Sequence, residues 1–366
     1  MPRPSQSRPY HVGPTESGQT LVSLLRRWQA GLSWSEAKQL LKGRRVSVNG
    51  AMCLDEGRRV KAGDVVHLHA HAKTPQPTAA DVQLLYWDQD VVVVAKPPLM
   101  TTLRHREERN WPAARKNLQP TLDECLPKLL LASEGGGPDE DSRRHKPPRG
   151  HRARGRGHPA PAFAHGPRRR KLPAVRAVHR LDRDTSGVMV FARNETAERD
   201  LVQQFKAHSI DRVYQAVVHG HPVAQTISRR LIRDRGDGLR GGTDSPIDGE
   251  DAVTHVRPLE DLGEYSLVEC QLETGRTHQI RIHLSDAGHL VCGDPLYHRR
   301  LNAATIEDRS GAPRLSLHAA RLAFDHPRTK ERIDFQLELP EDLERFVRSL
   351  VRRGRRRKHV PTDESE

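Results

Sequence analysis

The chain has 366 residues, 35% of them hydrophobic, and a formal net charge of +14. That length allows one sizeable core plus a small domain, and the low apolar share leaves some segments outside any core. No stretch reaches the length of a membrane span, and the start, Met1-Pro2-Arg3-Pro4-Ser5, lacks the apolar region of a secretory signal.

The charge is concentrated. Residues 142–171 hold eleven Lys/Arg and no acid, and residues 351–366 hold six against three, so the remainder is close to neutral. Basic segments on a neutral body point to a polyanion, most simply nucleic acid held through its phosphates. The four cysteines, Cys53, Cys125, Cys270 and Cys292, form no C-x-x-C pair, which argues against a zinc ribbon and fits a reducing cytoplasm. His278 and His283 are five apart and suit neither one helix face nor one strand face, so no metal site is expected.

Residues 1–18 are polar and broken by Pro and Gly, and read as a disordered arm. From Thr20 the pattern turns helical, with Leu21, Leu24, Leu25 and Trp28 at three-to-four spacing. Ser33-Trp34-Ser35-Glu36 is a capping box for a second helix, Ala37 to Lys42, closed by Gly43. Val46 to Met52 reads as a hairpin around Asn49-Gly50, and Gly63-Asp64 turns into a strand over Val65 to Leu68. Residues 19–72 hold nine Lys/Arg against four acids. These features, and the runs Arg44-Arg45-Val46-Ser47-Val48-Asn49-Gly50 and Val60-Lys61-Ala62-Gly63-Asp64, resemble the S4 RNA-binding domain. The resemblance implies RNA contacts at Arg44 and Arg45.

Residues 73–80 read as a linker. Leu84 to Pro98 then reads strand, acidic turn, strand, with a stop at Pro97-Pro98. Thr121 to Leu131 is expected as a helix with Leu122, Leu126, Leu129 and Leu130 on one side. Residues 133–172 contain Gly135-Gly136-Gly137, several prolines and the eleven basic residues, and read as a disordered basic insertion. Thr196 to Lys206 is amphipathic, Asp211 to Val218 is a strand, and residues 351–366 read as a disordered tail.

The densest chemistry is His179-Arg180-Leu181-Asp182-Arg183-Asp184-Thr185-Ser186-Gly187, two carboxylates, two guanidiniums and an imidazole between apolar flanks. A core does not desolvate such a set cheaply, so a loop lining a polar cleft is the direct reading. Arg183 and Asp184 also suit a solvated ion pair at a hairpin tip. The spacing Asp182-x-Asp184 further matches the aspartate loop of magnesium-dependent phosphatases. Against that, Val178 to Leu181 alternates instead of forming an apolar strand, and Gly293-Asp294 is followed by no second acid.

The nonapeptide also resembles the signature of the RluA-type pseudouridine synthases. So do Leu84 to Pro98, the segment Glu273-Thr274-Gly275-Arg276-Thr277-His278-Gln279-Ile280-Arg281, Gly293-Asp294-Pro295-Leu296-Tyr297, and Leu317-His318-Ala319. In the family a glycine follows Lys-Pro, where Pro98-Leu99 stands here. The resemblance implies an α+β chain: a small N-terminal S4-like domain, then over 81–350 a large mixed, mainly antiparallel sheet with a central cleft. It implies isomerisation of uridine to pseudouridine without cofactor or metal. Asp182 is then the essential carboxylate, acting as nucleophile at C1′ or as base at C2′. Tyr214 stacks on the uracil, and Arg281 pairs with Asp182 and favours its charged form. Arg180 and Asp182 share one face of an extended segment and Leu181 takes the other, so Arg180 can fill the space of a flipped uridine. His179 orients the loop, and His179, Arg180, Leu181 and Arg276 complete the expected RNA contacts. The expectation is a cytoplasmic monomer acting on large-subunit ribosomal RNA, with transfer RNA or a non-catalytic RNA-binding role as alternatives.

Overall fold

A computed structural model describes residues 9–29, 31–49, 51–69, 76–135, 172–236, 238–297 and 307–358. The chain divides into two units between Gln76 and Pro77.

The first unit contains β1 (Pro9–His11), α1 (Leu21–Trp28), α2 (Trp34–Lys42), β2 (Val46–Val48), β3 (Ala51–Met52) and β4 (Val65–Leu68). The strands form an antiparallel sheet in the order β1-β4-β2-β3. Thr20 caps α1, and the Ser33–Glu36 capping box opens α2 as the sequence predicts. Leu21, Leu24 and Leu25 of α1, Ala37 and Leu41 of α2, and Val46 and Val66 of the sheet close one core. Asn49 takes the left-handed conformation at φ 50°, and its amide bridges Asp64 and the Val65 N–H, both at 2.8 Å.

The N-terminal arm is corrected here. Residues 9–18 fold into this unit because Val12 is buried and the Tyr10 ring stacks on Trp28 at 4.8 Å, a cross-chain contact with no local periodicity. The residues before Pro9 lie outside the described ones, as do residues 70–72 and residues 73–75 of the expected linker. Thr78 caps a single turn over Ala79–Asp81, and Ala79 packs on the core of the second unit, so this end of the linker is folded.

The second unit opens with β5 (Gln83–Trp87) and β6 (Val91–Lys96), then α3 (Ala113–Leu118) and α4 (Leu122–Gly135). It continues with β7 (Arg176–Ala177), β8 (Ser186–Ala192), α5 (Glu195–Lys206), β9 (Asp211–His219), β10 (Gln225–Ile232) and β11 (Gly241–Thr243). β12 (Glu250–Asp261), β13 (Tyr265–Leu272), α6 (Gln279–Asp286), β14 (Leu317–Asp325), β15 (Arg332–Gln336) and α7 (Glu341–Lys358) complete it. One sheet runs β11-β10-β12-β13-β9-β14-β8-β6-β5, with β15 on β14 and β7 on β8. Among the described strands every pairing is antiparallel except β8 with β14.

The apolar run Val91–Val94 serves both faces of this sheet, since successive side chains point to opposite sides. Val92 and Val94 join Met189 and Phe191 under Leu122, Leu126 and Leu130 of α4. Val91 and Val93 join Val188 and Val190 beside Ala197 and Leu201 of α5. At the parallel seam Gly187, at φ 128°, lies against the Ala319 backbone, where a Cβ does not fit.

Two further expectations change. α4 extends to Gly135, its end tied by Arg193 to Glu134 at 2.7 Å, so residues 133–135 are helical; 136–171 of the insertion lie outside the described residues. The supposed tail from 351 is helix as far as Lys358, because Val351 continues the stripe of Phe346, Val347 and Leu350, and Arg353 donates to the Ser310 carbonyl at 2.9 Å. Among the described residues no helix is long and apolar enough to cross a membrane.

Candidate active site

The signature forms the loop between β7 and β8 and the first two residues of β8, and it walls a cleft of about 490 Å³. Four tethers fix it. The Val190 N–H donates to His179 Nε2 at 3.1 Å, and the His179 ring stacks on Phe205 at 4.8 Å. Thr102 Oγ1 donates to the Leu181 carbonyl at 2.9 Å and accepts the Leu181 N–H at 3.3 Å. Lys96 Nζ donates to the carbonyls of Pro97 (2.9 Å), Met100 (2.8 Å) and Arg183 (3.1 Å). The Thr185 N–H closes a turn onto the Asp182 carbonyl at 3.2 Å.

These tethers sort the residues by face. Leu181 is buried in the core, Arg180 is exposed, and the Asp182 side chain is 16% exposed in the cleft. Leu181 packs in the core and also lines the cleft. His179 is an anchor whose imidazole burial drives down to about 3, so it stays neutral and accepts its hydrogen bond. Lys96 is fully buried, and burial pulls its ammonium down to about 7 against the opposing pull of Asp184 and Asp182. At the departure from the usual Lys-Pro pattern, Leu99 holds φ 64°, a left-handed conformation that glycine adopts with least strain.

Tyr214 on β9 and Arg281 on α6 line the same cleft as Asp182. Tyr214 is 8% exposed, and burial pushes its hydroxyl up to about 12, so the phenol keeps its proton at neutral pH. Arg281 Nη1 lies 3.7 Å from Asp182 Oδ2. Its principal partner is Asp294, which it meets through Nε and Nη2, both at 2.7 Å. The Leu296 and Tyr297 N–H groups also donate to Asp294 Oδ1, at 2.8 and 3.0 Å. Burial raises the Asp294 pKa, but the Arg281 hydrogen bonds and charge outweigh it and hold the carboxyl below its usual range. The expected partner of Arg281, Asp182, is joined by Asp294 in a three-membered set.

His278 completes this wall. At φ 60° it opens α6, and its Nε2 stands 3.9 Å from Asp182 Oδ1. Its Nδ1 is 2.8 Å from the Tyr297 hydroxyl, whose ring lies under the Arg281 guanidinium at 5.0 Å. Burial lowers the His278 pKa, opposed by Asp182 and reinforced by Arg281 and Arg240. Gln279 braces the preceding loop by accepting from Thr274 Oγ1 and the Arg276 N–H, at 2.8 and 2.9 Å.

Asp182 is the single carboxylate among the cleft-lining residues, surrounded by Arg180, Lys206, Arg212, Arg276 and Arg281. Cations so placed attract a polyanion and leave one carboxylate positioned for a sugar carbon. Arg276 stands on the rim, with its guanidinium held by Glu250 (2.5 Å) and the Asp251 carbonyl (3.0 Å). Arg44 and Arg45 belong to the first unit; Arg44 takes φ 55° and Arg45 Nε donates to the His69 carbonyl at 3.0 Å. Two groups among the described residues have metal-ligand spacing, His219-Cys292-Asp308 and Asp88-Asp90-His326, and neither includes a cleft residue. His326 and Asp88 already pair at 2.8 Å, as do Arg328 and Asp90 at 2.7 Å. Beside the Asp182 carboxylate stand His278 and Arg281.

Lys96, His278, Asp294 and Tyr297 were not among the expected site residues. The His-Gln-Ile-Arg and Gly-Asp-Pro-Leu-Tyr segments that contain the last three were the available signal.

Comparison with known proteins agrees with this geometry. The sequence profile of RNA pseudouridylate synthases matches residues 151–286, and that of the S4 domain matches residues 19–66. Ribosomal large subunit pseudouridine synthase D of Zymomonas mobilis is 43% identical over 176 residues, which cover 48% of this chain and 56% of that relative's length. An uncharacterized RNA pseudouridine synthase of Bacillus subtilis, YlyB, is 34% identical over 333 residues, covering 88% of this chain and 91% of that protein. The solved structure titled Human RNA Pseudouridylate Synthase Domain Containing 4 shares the fold, with a TM-score of 0.50 at 21% identity over 74% of this chain and 93% of that one. With an S4 domain ahead of a cleft built around Asp182, the chain belongs to the RNA pseudouridine synthase family.

Proposed function

We propose that the protein isomerises uridine to pseudouridine in structured RNA, with large-subunit ribosomal RNA as its substrate. The observation that carries this is the lone Asp182 carboxylate, set by four backbone and side-chain tethers at the floor of a cationic cleft. Isomerisation breaks the N1–C1′ bond, turns the uracil and rejoins it through C5, so it needs one fixed carboxylate, a face for the base and little water. Asp182 acts on the ribose, at C1′ or C2′; Tyr214 supplies the face; Arg281, held by Asp294, stands 3.7 Å from the Asp182 carboxylate. Arg180, exposed beside Asp182, fills the stack that the flipped base leaves.

Two relatives named ribosomal large subunit pseudouridine synthase D support the choice of RNA, as does the S4 domain. Such a substrate fits a protein acting in the cytoplasm. The test is tritium release from RNA carrying [5-³H]uridine, wild type against Asp182→Asn, without added metal. Release by the wild type alone is expected, with RNA affinity unchanged. Turnover of Asp182→Asn within tenfold of wild type defeats the assignment, and no release from either with binding intact makes this an RNA-binding protein.

A further inference from the structure

Beside the cleft lies a second hollow of about 710 Å³, and Gly275 and Arg276 border both. Its other walls are the end of β10, the β10–β11 turn, Thr243 and the turn leading into β12. At Gly275, on this shared border, a Cβ would meet Arg212 Nη1 at 2.6 Å.

The charges in the hollow are unevenly satisfied. Asp234 accepts the N–H groups of Gly236 and Gly238 at 2.8 and 2.9 Å. Asp248 accepts the Ser245 hydroxyl at 2.7 Å, and Glu250 holds Arg276 at 2.5 Å. Arg233 and Arg240 make no hydrogen bond or ion pair among the described residues. The carboxylates are thus engaged by the protein while two guanidiniums remain open. Arg240 is close enough to the catalytic wall to bear on His278.

We infer that this hollow binds the RNA backbone next to the reacting uridine, with Arg233 and Arg240 taking the phosphate of the neighbouring nucleotide. The inference rests on the RNA reading above. A volume of this size accommodates a nucleotide residue. Planar guanidiniums match phosphate oxygens two at a time, and a strand that leaves the cleft over the shared border of Gly275 and Arg276 reaches the hollow. The contact carries no sequence information; it fixes the register of the strand, so that one uridine faces Asp182.

The test uses the full chain and ribosomal RNA transcribed with [5-³H]uridine. Arg233→Gln and Arg240→Gln are compared with Arg257→Gln, which removes the same charge from an exposed arginine paired with Glu269 at 2.9 Å. Together the first two are expected to lower the slope of log affinity against log salt by about 0.7 to 0.9, as for one lost phosphate contact. Each is also expected to raise KM about tenfold with kcat within about threefold, the signature of lost uniform binding. Slopes and KM values equal to those of Arg257→Gln overturn the subsite. Because the salt slope is read from binding alone, failure of the isomerase reading leaves this result interpretable.

Discussion

On the floor of the cleft, Arg281 gives two hydrogen bonds to Asp294 and leaves one face for Asp182, whereas Arg233 and Arg240 in the adjoining hollow give none to the described protein. The difference follows from burial. Arg281 is 2% exposed, and a guanidinium so placed needs a carboxylate partner to offset its desolvation. The hollow is open, so its arginines stay hydrated until a phosphate replaces the water. Chemistry is entrusted to charges whose partners are inside the fold, and attachment to charges whose partner is the substrate.

The largest expected effect comes from breaking the inner set. Asp294→Asn leaves Arg281 buried beside a neutral amide, and is expected to cost about 3 to 5 kcal/mol of stability by denaturant unfolding. It is also expected to reduce tritium release more than tenfold. The double replacement Arg281→Met, Asp294→Leu is expected to recover most of the stability and none of the activity. A double variant that regains activity would show that the pair serves only the fold.

An intermediate effect is expected at Tyr214. Its hydroxyl, pushed up to about 12, holds a proton throughout the working range. Tyr214→Phe keeps the ring and removes that proton, and is expected to lower kcat about a hundredfold if the hydroxyl moves protons in the reaction. KM is expected to stay within about threefold. A rise in KM with kcat unchanged would assign the hydroxyl to binding and blur the contrast between floor and hollow.

The smallest effect concerns pH. His179 titrates near 3 in the fold against 6.5 in the unfolded chain, so unfolding takes up a proton between those values. Its stabilising hydrogen bond is present in full above pH 6.5 and is lost as pH falls towards 3. The slope is about 1.4 kcal/mol per pH unit for one proton. His283 and His318, both lowered to about 4 by burial, steepen the same limb. Guanidinium unfolding of wild type and His179→Gln between pH 4 and 7 is expected to show one proton fewer in the variant. Equal slopes would remove His179 from the tethers of the loop.

Much of this was legible from local pattern. The helical start at Thr20, the capping box at Ser33, the hairpin at Asn49 and the strand through Val91–Val94 each declare themselves within a few residues. The meeting of Asp182, Tyr214 and Arg281 was legible only through the family likeness. The Arg281–Asp294 pair was not legible, because thirteen positions and a turn separate the partners and nothing in their spacing predicts contact. Tyr10 on Trp28 and Arg353 on Ser310 are likewise contacts between distant segments, which is why both chain ends looked unstructured. Lys96 reads as a surface cation until the three carbonyls around it are seen.

Gly187 gives the signature a second kind of meaning. It sits where the only parallel pairing among the described strands joins the β8 side of the sheet to the β14 side, five residues from Asp182. Any larger residue there forces the seam apart and carries the aspartate with it, although no atom of position 187 needs to touch RNA. A screen that scores variants by lost activity would rank Gly187 beside Asp182. Only a structural probe of the purified variants, such as amide exchange along β8 and β14, separates the keystone from the reagent.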